Sequence, residues 1–238
     1  MADISGLVAL DSVDHADLRL KALHGTQCGD PGGQVAVFVS EFEALQRDYP
    51  IMFLRTAEGD LQPVALLGFS GEENLFIEAG RWQARAIPAL VRRGPFRFAM
   101  GDAGEPTIMV DLNSPRIAAE GEEGAPVFRE HGGQAPSLDN AVDALRQIHS
   151  DVERTRQAMQ QFDRLALVEP IRVNIRLSDH DVVKLENFHG ITMERVSALS
   201  PQELGELNAK GLLASAVLAA SSLGNIGNML AMRKRPEA

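Results

Sequence analysis

The sequence holds a single cysteine, Cys28, in 238 residues. One thiol excludes an intramolecular disulfide and leaves no cysteine set for a zinc site. It suits a reducing compartment. Basic residues are also short: 23 Lys and Arg stand against 33 Asp and Glu, a formal net charge of −10. So acidic a chain is repelled by phosphate backbones, which argues against nucleic acid as a partner. The first residues, Met1-Ala2-Asp3-Ile4-Ser5-Gly6, lack a basic stretch followed by an apolar one. The expectation is a protein without a secretory signal, in the cytoplasm. No Gly-rich loop ends in Lys-Ser or Lys-Thr, and no Gly-x-Gly-x-x-Gly follows a strand, so neither a P-loop nor a dinucleotide fingerprint is present. Gly68-Phe69-Ser70-Gly71 shares part of the nucleophile-elbow pattern, but Glu72 stands where glycine is required. A turn is the plainer reading. No cofactor is expected.

The composition is that of a globular protein, with 45% apolar and 24% charged residues. The length is enough to bury a core without covalent staples. We find no internal repeat and no sustained heptads. Gln34 to Val39 reads as a strand, and Ser40 as the cap of a short helix through about Asp48, with Phe42 and Leu45 on one face. Ile51 to Arg55 and Val64 to Phe69 flank the turn residues Glu58-Gly59-Asp60 and predict an antiparallel hairpin. Asn74 to Ile77 predicts a further short strand, and Arg85 to Arg93 a helix stopped by Gly94-Pro95. Phe96 to Met100 and Thr107 to Leu112 pair across Gly101-Asp102-Ala103-Gly104.

Residues 113–136 are rich in glycine and proline and are the candidate internal boundary of an otherwise single domain spanning 1–238. Beyond them, Leu138, Val142, Leu145, Ile148, Val152, Met159 and Phe162 recur at helical spacing. Arg146, Asp151, Glu153, Arg154 and Arg156 fall on the other face, which predicts an amphipathic helix of about seven turns. Ile171 to Leu177 alternates strictly, turns at Ser178-Asp179-His180-Asp181 and returns over Val182 to Phe188. Ser200-Pro201-Gln202-Glu203 is a strong helix start. That helix is expected to break at Gly211 and continue into Leu212 to Met232, a run without charge that ends at Arg233-Lys234-Arg235. The run has the length of a membrane span. Ser215, Ser221, Ser222, Asn225 and Asn228, with Gly224 and Gly227, favour burial against protein instead. Hairpins followed by segregated helices define the expected fold class, α+β with a largely antiparallel sheet.

Candidate site residues are few. Arg92 and Arg93 close a short helix, where cations suit the helix dipole; two guanidinium forks also suit an anion. Trp82 beside Arg81 fits either a core edge or a binding pocket. With Glu73 and Asn74 these residues form the candidate ligand-binding set. His180, Asp181 and His189 are the metal-like alternative, two imidazoles and a carboxylate within ten residues. His24 and Cys28 place an imidazole near a thiol in sequence, in a Gly-rich neighbourhood that reads as flexible surface.

Several segments in order resemble the SapC-like family of bacterial proteins. They are Tyr49-Pro50-Ile51, Pro63 to Gly68, Glu73 to Phe76, Gly80-Arg81-Trp82 and Arg92-Arg93-Gly94-Pro95-Phe96. Asp111 with Ser114-Pro115-Arg116, Val127-Phe128, Leu199-Ser200 with Glu203-Leu204, and Ser222 to Asn225 continue the pattern. The family commonly has an aromatic residue where this chain has Gly94. The resemblance implies an accessory role. Members are often encoded beside halogenase-like proteins, oxygenase-type proteins and outer-membrane receptors, and the family name comes from bacterial surface layers. The leading expectation is a non-catalytic binding or accessory protein in a peptide-, nutrient- or halogenase-linked system. Its protein partner, a halogenase-like or oxygenase-like protein or a second copy of the chain, would meet the Leu212 to Met232 helix. The alternatives are a metal-dependent oxygenase-like enzyme and a cell-envelope component.

Overall fold

Near-continuous apolar runs give strands that are buried on both faces, and the larger sheet of this protein is built around such a pair, Ile51–Arg55 and Leu61–Leu66. The computed structural model describes residues 6–100, 106–176 and 182–233. It divides into two compact units. The first comprises Met1–Asp30, Ile77–Trp82 and Ala89–His149; the second comprises Pro31–Phe76, Gln83–Pro88 and Ser150–Ala238. The architecture is α+β with antiparallel sheets.

In the first unit, Pro106–Asp111 pairs with Phe96–Met100 on one side and Leu7–Ala9 on the other. Alternation sets the two faces of this sheet. Phe96, Phe98, Ile108, Val110 and Val8 pack with Val127 and with Leu138, Val142 and Leu145. Arg97 and Met109, opposite each other in register, take the other face. The expected turn at Gly101-Asp102-Ala103-Gly104 lies outside the described residues. The segment 113–136 lies within this unit and supplies Ala125–Pro126, which pairs with Arg19–Leu20. A miniature hairpin joins Ile77–Glu78 to Arg81–Trp82. Its two turn residues, Ala79 and Gly80, both have positive φ (48° and 73°), the backbone that matches strand twist in a two-residue hairpin.

In the second unit a five-stranded sheet has the order Glu169–Pro170, His189–Gly190, Ile51–Arg55, Leu61–Leu66, Gln34–Ala36. Its central hairpin falls on the expected turn, with a second strand over Leu61–Leu66 in place of the expected Val64 to Phe69. Val173–Arg176 and Val182–Leu185 form a separate antiparallel pair; the turn at Ser178-Asp179-His180-Asp181 lies outside the described residues.

Three local expectations need correction. The strand expected over Gln34 to Val39 ends at Ala36, and Ser40 lies inside a 3-10 turn, Val39–Glu41, instead of capping a helix. The Ser40 hydroxyl donates to Asp151, and Glu41 accepts from the Phe38 N–H at 2.9 Å. The strand expected over Asn74 to Ile77 begins only at Ile77, because the Asn74 side-chain Oδ1 accepts from the Phe76 N–H at 3.0 Å and turns the chain. The helix expected from Arg85 is confined to Ala89–Arg92. The Arg85 N–H is bonded to Asp48 at 2.9 Å and the Ala86 carbonyl accepts from Tyr49 at 2.7 Å, so neither group enters a helix.

The long helix, Pro136–Arg164, is present as expected, with Leu138, Val142, Leu145, Met159 and Phe162 of its expected stripe buried and one turn departing from it. Val152 is 53% exposed and Asp151 only 5%. Asp151 receives the Ser40 hydroxyl, and the Thr155 hydroxyl accepts from the Val39 N–H at 3.0 Å. Two polar helix residues thus satisfy the turn that precedes Phe42. At this one turn of the helix, that need outweighs the burial of a valine.

The C-terminal run is a series of helices, Pro201–Ala209, Leu213–Ser222 and Asn225–Arg233. The first carries the expected capping box, with the Ser200 N–H donating to Glu203 at 2.8 Å and the Glu203 N–H to the Ser200 hydroxyl at 3.3 Å. Gly211 marks the expected break. Leu213–Arg233 is long and apolar enough to cross a membrane by length and composition alone, and a third of its most apolar window is buried within the protein. Its polar residues are anchors. The Ser222 hydroxyl accepts from the Ile51 N–H at 2.8 Å and donates to the Ala219 carbonyl at 2.6 Å. The Asn225 amide donates to the carbonyls of Gln46 at 2.8 Å and Tyr49 at 3.2 Å. Asn225→Ala strips two buried carbonyls of a donor and is expected to cost about 1–3 kcal/mol. Urea denaturation checks this, with Asn228→Ala, whose amide reaches only Asn225, as the milder control.

Candidate functional site

The chemistry-bearing side chains of the first unit gather around one carboxylate. The loop His24–Asp30 curls through a short 3-10 turn, with the Asp30 N–H donating to the Gly25 carbonyl at 3.1 Å. This brings Asp30 inward until its side chain is only 3% exposed. Such a charge is costly unless it is paired, and here it is. The Asp30 carboxylate accepts from the Gly25 N–H at 2.8 Å, faces His24 Nδ1 at 3.0 Å and pairs with Arg116 at 3.3 Å. Arg116 also donates to the Leu23 carbonyl at 3.1 Å. A carboxylate only accepts, so Nδ1 is the protonated nitrogen of His24 and Nε2 is the second ring position.

Two glycines permit this geometry. Gly29 has φ +84°, and a Cβ there would meet Pro115 at 2.9 Å, so the 114–116 segment reaches the loop only over a residue without a side chain. Gly80, at the tip of the miniature hairpin, carries Leu23 on its bare Cα, where a Cβ would meet Leu23 Cδ2 at 2.8 Å, and accepts from the His24 N–H at 2.8 Å. The hairpin thereby sets Trp82 edge-on to the His24 ring, centroids 5.5 Å apart, an arrangement aromatic quadrupoles favour.

A cleft of about 800 Å³ adjoins this cluster through Leu23 and Cys28. Its lining carries both signs of charge, Arg19 and Lys21 with Glu122 and Glu123, beside Ala22 and Ala125. Lys21 pairs with Glu122 at 3.6 Å and Arg19 donates to the Gly124 carbonyl at 3.1 Å. Cys28, expected on a flexible surface, is buried.

The remaining candidates are distributed over the two units. Arg81 and Trp82 form the second strand of the miniature hairpin in the first unit. Arg92 and Arg93 also belong there. Arg92 donates to Gln147 at 2.6 Å and Arg93 to the Phe96 carbonyl at 3.0 Å. Glu73 and Asn74 belong to the second unit. Glu73 accepts from the Phe69 N–H at 2.6 Å and pairs with Arg233 at 3.2 Å; Asn74 donates to the Pro31 carbonyl at 2.9 Å. His180 and Asp181 lie outside the described residues. His189 is a sheet residue opposite Phe53, with its Nδ1 buried and unbonded. Among the described residues no group of three His, Cys, Asp or Glu is arranged to hold a metal. Ser70, in the elbow-like segment, is an exposed turn residue whose carbonyl accepts from the Glu73 N–H at 3.2 Å.

Asp30 and Arg116 were not among the sequence candidates. The only signal for Asp30 was its place in Gly29-Asp30-Pro31, which reads as loop. The one for Arg116 was its membership of a family-like segment. Nothing in spacing joins residues 86 positions apart.

Asp30→Ala should strand the Gly25 N–H, His24 and Arg116 together. Removing one partner of a buried ion pair costs about 3–5 kcal/mol, and Asp30→Asn, which keeps an acceptor, should cost less. Equal losses in urea denaturation would show that the charge itself is not the organising element.

A family model described as SapC matches residues 10–229. No curated protein and no solved structure matches the chain.

Proposed function

The chain therefore belongs to the SapC family, and we propose that it is a binding protein that works with protein partners and performs no catalysis of its own. The observation that carries this reading is the cleft beside the Asp30 cluster. Its charges are of both signs, its apolar surface comes from Ala22, Leu23 and Ala125, and its wall is held by a carboxylate already engaged by three donors. Such a cleft suits a short zwitterionic ligand, a peptide or amino acid, which brings an ammonium to Glu123 and a carboxylate to the cationic side. This fits an accessory role in a bacterial peptide- or nutrient-linked system. Halogenase-like or oxygenase-like proteins are the partners the family resemblance suggests, with Leu213–Arg233 as the surface that meets them.

Calorimetric titration of the full chain with free amino acids and with di- and tripeptides tests the proposal. Binding is expected for peptides with free ends and is expected to weaken at least about tenfold in Glu123→Gln, the loss of one charge-assisted contact. Peptides blocked at both ends should bind no better than that variant. Absence of binding by every peptide, or peptide turnover, would reject the reading.

A further inference from the structure

Guanidinium groups stay charged at any pH a protein meets, so one removed from water needs an anion or a set of acceptors. Most arginines of the first unit have them. Arg19 reaches the Gly124 carbonyl, Arg116 reaches Asp30 and Leu23, and Arg129 lies 4.0 Å from Asp139. Arg93 and Arg97 are different. Arg93 follows the short helix Ala89–Arg92 and spends one nitrogen on the Phe96 carbonyl. Arg97, on the next strand, is half-buried, and its Nε is shut off from water with no hydrogen-bond partner among the described residues.

We propose that Arg93 and Arg97 together hold an oxyanion, a phosphate or a carboxylate, on the sheet face opposite the core of the first unit. Four features support it. The two residues lie on either side of Gly94-Pro95-Phe96, a tight passage from helix to strand. Phe96 and Phe98 are in the core, so strand alternation sends Arg97 to the other face. The two cations are close enough that burial and the Arg97 charge both push the Arg93 guanidinium below its usual range. The nearest acid on that face by register is Asp111, diagonal to Arg97; its carboxylate accepts from the Asn113 N–H at 3.1 Å and pairs with neither arginine. Two like charges, one with a desolvated and unbonded Nε, form an unfavourable arrangement by themselves. A planar or tetrahedral oxyanion, gripped by two forks, relieves both the repulsion and the unmet donor. Neither residue lines the cleft described above, so this site stands or fails independently of the peptide reading.

The test uses the full chain with inorganic phosphate and, separately, acetate. In nitrogen-15 NMR the Arg97 Nε–H resonance should move on addition of the bound anion, while that of Arg129 stays. By calorimetry, affinity should fall at least about tenfold in Arg97→Gln and in Arg93→Gln. Arg97→Lys, which keeps charge without the fork, should fall between them and the unaltered chain. Without anion, Arg97→Gln should melt no lower than the unaltered chain, since it removes a repulsion. Response to phosphate alone assigns a phosphate-bearing ligand, and response to acetate alone a carboxylate; either supports the site. No movement of the Arg97 resonance with both anions overturns it, as does unchanged affinity in Arg97→Gln. The NMR arm needs no variant, so a misfolded substitution leaves the proposal decidable.

Discussion

The second unit depends on how three backbone groups near Tyr49-Pro50-Ile51 are satisfied. The Tyr49 carbonyl and the Ile51 N–H are bonded by side chains from the C-terminal helices, Asn225 and Ser222, and the Pro50 carbonyl accepts from the Leu66 N–H at 3.0 Å. Tyr49 itself is fully buried, donates to Ala86 and rests its ring 4.4 Å from that of Phe76. Helix, central hairpin and the 74–76 turn therefore meet at one corner. An unpaired buried amide or carbonyl costs about 1–3 kcal/mol. Asn225 and Ser222 are consequently positional constraints as well as contacts. An apolar run could pack in many rotations; these two residues select one, with Ala216, Ala219 and Met229 inward.

This explains how far sequence reasoning could go. Ile51 to Arg55 and its partner are legible because apolar runs, a Glu-Gly-Asp turn and a strand length all agree. The Ser200 cap is legible because its chemistry is local. Asp151 was assigned to solvent because polarity is all that a helical pattern records. Its burial depends on Ser40, more than a hundred positions earlier. The helix and most of its inward stripe are legible, and the stripe fails only at Asp151 and Val152: periodicity counts apolar residues, while this turn of the helix buries a polar one because the Val39–Glu41 turn needs a partner. Asp30 and Arg116 were hidden in the same way. Gly29 and Pro115 signal loops, and only folding shows that the two loops lie against each other.

The first unit contains two opposite solutions to the burial of charge. Asp30 is almost wholly removed from water and is met by an imidazole, a guanidinium and a backbone N–H. The Arg97 Nε is buried and meets no acceptor among the described residues. Buried pairs contribute little net stability because desolvation offsets attraction, so the Asp30 cluster is better understood as a positioning device for the cleft wall and Trp82. An unmet guanidinium has no such offset.

Net charge sharpens that contrast. At −10 the molecule repels anions from a distance, yet that field is screened within about 8 Å at physiological ionic strength. Two adjacent forks act inside that length, where direct hydrogen bonding exceeds a screened background. Long-range repulsion then slows the arrival of an anion, and short-range geometry governs how long it stays. A site of this kind discriminates by shape and donor placement, because the overall charge gives no help to any anion.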